Sequence, residues 1–100
     1  MEFHFDRSDL CARVTLSGRL TFGEKDVFRR VVEDLAENGD GDVVFDLGSM
    51  DYIDSAGLGM LLVAREVVAE HGGRTTIANA HGEVGRMLEL ARFADFFTMG

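Results

Sequence analysis

The chain has 100 residues, 46% hydrophobic and 28% charged, which suits one domain built on a single core. Eighteen acids against ten bases give a formal net charge of -8, and Lys25 is the one lysine; so few clustered bases argue against nucleic acid or an anionic membrane surface as a direct partner. The single cysteine, Cys11, rules out an internal disulfide and a cysteine-held metal cluster.

No apolar run approaches the roughly 20 residues of a membrane span. The opening Met1-Glu2-Phe3-His4-Phe5-Asp6 has neither the basic nor the apolar part of a signal peptide. The expectation is a cytoplasmic domain over residues 1–100, without direct membrane insertion. Its acidity suits a protein partner with a basic face, or serves solubility alone.

Glu2 to Asp6 alternates, with Phe3 and Phe5 on one side, and predicts a strand. Arg7-Ser8-Asp9 reads as a turn. Leu10, Ala12, Val14 and Leu16 alternate with Cys11, Arg13, Thr15 and Ser17, which predicts a second strand in a hairpin with the first, ending at a Ser17-Gly18 turn. Thr21 and Glu24 match a capping box for a helix carrying Val27, Phe28, Val31, Val32 and Leu35. Asn38-Gly39-Asp40-Gly41 ends that helix, with Gly39 as its left-handed cap. Val43 to Leu47 reads as the central strand and, Asp46 apart, is apolar, as expected of a strand covered on both faces.

Leu58 to Glu70 predicts a second helix, stopped by His71-Gly72-Gly73. Thr75 to Ala78 predicts a strand and Glu83 to Arg92 a third helix, followed by an aromatic end piece of Phe93, Phe96 and Phe97 packed on the core, with room for a last short strand. Strands joined through helices imply parallel neighbours and right-handed crossovers. The expected fold class is α/β: a small mixed sheet with an N-terminal hairpin and helices mainly on one side.

The chemistry gathers at Asp51-Tyr52-Ile53-Asp54-Ser55-Ala56-Gly57-Leu58-Gly59, where a strand meets a helix near three acids (Asp46, Asp51, Asp54). The first amides of a helix lack internal partners and that end is positive, so it suits an anion, a phosphoryl group or a partner chain. A phosphoacceptor at Asp46, as in response-regulator receivers, fails because no lysine follows Lys25. A nucleophilic Ser55 would need a base such as His71 or His81, and its surroundings are not a nucleophile elbow. The third glycine of a dinucleotide fingerprint would fall at Leu62. Ser55 is instead expected to cap the helix. Gly57 and Gly59 each cost about 1 kcal/mol against alanine in a helix, so close packing or a partner should explain them. Leu58, Leu61, Leu62 and Val68 are expected to face the sheet. Met60, Ala64 and Val67 form a second stripe, partly exposed and suited to docking.

The Asp51-to-Gly59 motif after Val43-Val44-Phe45-Asp46-Leu47, with Ser17-Gly18-Arg19-Leu20, Gly72-Gly73 and Val84, Leu88 and Phe93, strongly resembles the STAS domain of bacterial anti-sigma factor antagonists. The resemblance implies a non-enzymatic binding module whose partner is an anti-sigma factor or serine-kinase-type regulator, with no cofactor, metal or catalytic residue. It points to Asp54, Ser55, Ala56, Gly57, Leu58, Gly59, Met60 and Ala64 as partner-binding. In that family the residue after the first serine is the usual phosphoacceptor, and here it is Ala56. Either Ala56 locks the protein in its unphosphorylated form, or Ser55 has become the acceptor. Asp54-Ser55-Ala56-Gly57 also resembles the STAS subunits of ABC-type lipid transporters, which bind the transporter ATPase.

Overall fold

Side-chain alternation sets the architecture. The computed structural model describes residues 1–8, 11–39 and 41–100. Strands β1 (Glu2–Ser8), β2 (Cys11–Leu20), β3 (Asp42–Ile53), β4 (Thr75–Ala78) and β5 (Thr98–Met99) form one sheet in chain order. β1 and β2 are antiparallel, and every later pair is parallel. Helices α1 (Lys25–Asn38), α2 (Ser55–Glu70) and α3 (Gly82–Leu90) make the crossovers. Each crossover advances one strand in the same direction, so right-handed connections place all three helices on one face.

Burial agrees with that placement. Ala12, Val43 and Thr75 stand in register across β2, β3 and β4, as do Val14, Phe45 and Ile77, and all are buried. Their chain neighbours Arg13, Val44 and Thr76 share the opposite face and are exposed or half-buried. The mostly apolar Val43–Leu47 run therefore does not mark a strand covered on both faces, as the sequence suggests. It is a one-faced strand whose outward positions carry Val44 and Asp46. The helix-side face closes against Phe28, Val31 and Leu35 of α1, Leu61, Ala64 and Val68 of α2, and Val84 and Leu88 of α3.

Several boundaries differ from expectation. β1 continues through Arg7 and Ser8; Asp9, Leu10 and Asp40 lie outside the described residues. β2 does not stop at Ser17-Gly18 but reaches Leu20, with register shifts between Thr15 and Ser17 and between Gly18 and Arg19, where Gly18 has φ +88°. An irregularity of this kind lets a strand bend without ending. β3 correspondingly runs on to Ile53, through residues that read as loop. Thr21 makes no side-chain capping bond; a 3-10 turn over Phe22–Glu24 precedes α1 instead, and Glu24 pairs with the Met1 amino group at 3.4 Å. Gly39 does close α1 in the left-handed conformation, φ +55°. α3 stops at Leu90, and Arg92 turns left-handed into a 3-10 turn that buries Phe93 and Phe97 while leaving Phe96 exposed.

The one-faced sheet predicts opposite outcomes for the same substitution at adjacent residues. Val43→Thr places a hydroxyl in the core and should cost about 1–3 kcal/mol in urea unfolding. Val44→Thr, on the open face, should stay within about 0.5 kcal/mol of the parent.

Candidate functional site

The start of α2 is built around Asp54. Its backbone is extended (φ -106°, ψ -178°), which places it just outside the helix as the cap residue. One carboxylate oxygen accepts from the Gly57 amide at 2.8 Å, and the other accepts from the Phe22 amide at 3.2 Å. The Asp54 amide donates to the Leu20 carbonyl at 3.3 Å, and the Asp54 carbonyl accepts from Leu58 at 3.0 Å. The cap is thus Asp54 and not Ser55, because a carboxylate one position earlier already satisfies the third helical amide. The helix consequently begins at Ser55, three residues before its apolar run.

That shift leaves Ser55 as the first helical residue, exposed, with no hydrogen bond from its hydroxyl among the described residues. Ala56 is half-buried. Consecutive helical residues are rotated by about 100°, so the Ser55 hydroxyl does not occupy the place a hydroxyl at Ala56 would.

The two glycines have different causes. A Cβ on Gly57 would lie 2.2 Å from the Leu20 carbonyl oxygen and 2.7 Å from Ile53 Cγ1, so the helix can approach β2 only with glycine there. A Cβ on Gly59 would meet nothing within 4 Å. Gly59 is exposed, and the fold gives no reason for it.

The docking stripe expected on α2 is displaced around the helix. Ala64 is 0% exposed and belongs to the core, while Met60 and Val67 are half-buried against it. Leu58 and Leu62 are likewise half-buried, and Leu61 and Val68 face inward as expected. The open line is Ser55, Gly59, Val63 and Glu66, at helical spacing. Val63 is 54% exposed, and sequence reasoning missed it because its neighbours in the apolar run masked its phase. Phe22, 63% exposed beside the Asp54 carboxylate and under Lys25 Nζ (5.1 Å to the ring centroid), was also missed; the signal was an aromatic directly after the supposed cap, outside the apolar phase of α1.

The three acids do not gather. Asp46 faces the open side of the sheet, where one oxygen accepts from Gly48 N at 2.9 Å and Asn79 Nδ2 at 3.1 Å, and the other from an Arg13 guanidinium nitrogen at 2.7 Å. The Gly48 amide, against the opposing effect of burial and with help from Asn79 and Arg13, holds its carboxyl below the usual carboxylate range. Asp51 is exposed near the end of β3. No group of three His, Cys, Asp or Glu side chains able to hold a metal occurs among the described residues. His71 contacts the Val67 carbonyl at 3.0 Å and His81 the Gly48 carbonyl at 3.0 Å; neither is hydrogen-bonded to Ser55.

This topology and this helix start coincide with a match to the family model described as STAS domain, over residues 3–100. The chain belongs to the STAS domain family. A STAS-domain containing protein of Pseudomonas aeruginosa (strain UCBPP-PA14) is 33% identical over 84 residues, covering 84% of this chain and 82% of that one. The anti-sigma factor antagonist SpoIIAA in its unphosphorylated form superposes with a TM-score of 0.76 at 18% identity, over 99% of this chain and 87% of SpoIIAA. The murine solute carrier 26 family member A9 anion transporter matches 85% of this STAS domain with a TM-score of 0.72 at 18% identity, through only 14% of its own length. At such identities the two structures establish the shared fold. No helix of this STAS domain is long and apolar enough to cross a membrane among the described residues.

Gly57→Ala should lower stability by more than the roughly 1 kcal/mol that separates glycine from alanine in a helix, with the opposite sign, because backbone must move. Gly59→Ala should raise it by up to about 1 kcal/mol. Thermal melts of both variants check the pair. Asp46 has a depressed carboxyl, so its contribution is present at neutral pH and is lost as the pH falls through its folded value. The melting-temperature gap between the parent and Asp46→Asn should therefore be largest near pH 7 and shrink below the ordinary carboxylate range.

Proposed function

We propose that this STAS domain is a non-enzymatic regulatory module that sequesters an anti-sigma factor or serine-kinase-type regulator, and that Ala56 removes the usual means of ending the complex. The observation that carries this reading is the start of α2: a rigidly capped, open helix end with an alanine where the family's phosphoacceptor stands. Exposed Ser55, Gly59 and Val63 offer a nearly flat, small-residue approach to it. Gly59 weakens the helix without any packing reason among the described residues, which fits close approach by a second molecule.

A phosphate at the second helical position would bring about -1.5 to -2 charges into such an interface. Ala56 has no oxygen to carry one. Ser55 has no histidine or carboxylate hydrogen-bonded to it among the described residues, so no base activates it as a nucleophile. Asp54 serves the helix amides and not Ser55. The acidic surface favours a partner with a basic face, and a cytoplasmic location belongs to the same reading.

A second reading rests on the sequence Asp54-Ser55-Ala56-Gly57, which resembles the STAS subunits of ABC-type lipid transporters. There the same helix end would contact the transporter ATPase, with Ser55 as a contact residue and no kinase cycle.

Affinity purification from native lysate with mass spectrometry separates the two. Recovery of an ATP-binding anti-sigma factor supports the first reading; an ABC ATPase with its permease supports the second and overturns the first. With the kinase partner and ATP, Ala56→Ser should take up phosphate while the parent does not. Stoichiometric phosphate on Ser55 of the parent would overturn the locked state. Ser55→Asp and Val63→Asp should each weaken the complex about tenfold or more with the fold intact by circular dichroism. Parent-like affinity in both would remove the α2 start from the interface.

A further inference from the structure

Away from the α2 start, a cavity of about 320 Å³ opens between the second half of α2, the beginning of β4 and the aromatic end piece. Arg65, Arg74, Thr75, Asp95, Phe96 and Phe97 are among the residues that line it. Thr75 is 5% exposed, on the core side of β4. Its hydroxyl is buried and has no hydrogen-bond partner among the described residues. Buried hydroxyls are nearly always satisfied, so an unpartnered one on a residue of the cavity lining is a place where a ligand atom would supply the missing bond.

The cations are placed to supply the rest. Arg65 is held in position: its Nε donates to the Phe96 carbonyl at 2.6 Å, and its guanidinium lies over the Phe96 ring, 5.8 Å from the centroid. A second nitrogen reaches Glu66 at 3.1 Å, which leaves the remaining donors of the fork uncommitted. The Arg74 main chain is fixed on both sides, its amide by Asp42 at 2.9 Å and its carbonyl by the Val43 amide at 2.9 Å. Its guanidinium makes no hydrogen bond or ion pair among the described residues. The one acid of the lining, Asp95, is engaged by Arg92 Nε at 3.0 Å. In a chain of net charge -8, two arginines beside an unsatisfied buried hydroxyl are an unusual concentration of donors.

We propose that this cavity binds the phosphate monoester of a small organic molecule. Arg65 and Arg74 take the phosphate oxygens as charge-assisted, fork-type contacts. The Thr75 hydroxyl donates to the same group or to its ester oxygen. Ala69, Ala94 and Phe97 form an apolar wall for the organic part, and the volume is at the small end of ligand cavities. The site does not depend on the partner proposed above, and it lies on other residues, so the two stand or fall separately.

The test is a titration of the 15N-labelled domain with phenyl phosphate, followed by amide shifts. Saturable shifts confined to Gly73–Thr75 and Phe96–Thr98 are expected. Arg74→Gln and Thr75→Val should each weaken binding by about tenfold or more. Thr75→Val should at the same time keep or raise the melting temperature, since it removes an unsatisfied hydroxyl of the same shape, so lost binding cannot be put down to lost folding. Parent-like affinity in both variants would overturn the proposal. So would shifts that do not saturate, or that fall instead on Ser55–Gly57, where the open helix end would be the phosphate site.

Discussion

The two oxygens of the Asp54 carboxylate hold together parts of the chain that are far apart in sequence. One satisfies the third amide of α2, and the other satisfies the amide of Phe22 in the turn before α1. The same residue's main chain bonds to Leu20 at the end of β2. This junction fixes where α2 begins, how near it comes to the sheet and which of its residues look outward. Gly57 is the steric counterpart of the same junction: any side chain there would collide with the Leu20 carbonyl. Most of what makes the site a site follows from these two residues.

The sheet divides the molecule into a face that is packed and a face that is polar. All three helices lie on the packed side, so the α2 start is displayed at one end of that layer. The open face carries a network of its own, in which Asp46 binds Gly48, Asn79 and Arg13, and His81 closes onto Gly48. That network ties the end of the β3 ladder to the loop after β4. Among the described residues the Asp46 partners are donors of this chain, which makes the acid a structural tie.

The function proposed for this STAS domain depends on a small area where added charge would matter. A helix N-terminus tolerates negative charge, whereas a close interface built on small residues tolerates little added bulk or charge. On the proposed reading, Ala56 keeps the small surface and takes away the hydroxyl that would carry the phosphate. Gly59 fits the same proposal, since it gives up helix stability where a Cβ would meet nothing within 4 Å. The cavity near Thr75 lies at the other end of α2, on a different set of residues, and its chemistry is that of arginines and a hydroxyl instead of a helix end.

The sequence by itself determined the number and order of the elements, the mixed sheet and the family. Periodic apolar positions such as Val14, Phe45, Val31 and Leu88, and the left-handed Gly39, carry that information locally. It also brought Asp54 to Gly59 forward as the candidate site. What it left open was settled by contacts between distant residues. The β2 irregularity at Gly18 let β2 and β3 run on past the expected turns. The covering of one sheet face only gave Val44 and Asp46 their outward positions. The phase of α2 was ambiguous because its apolar run, Leu58 to Ala64, offers an inward-facing side almost all the way round. Only the Gly57–Leu20 approach fixed that phase, burying Ala64 and exposing Val63, since a helix with little amphipathic contrast takes its orientation from what it packs against.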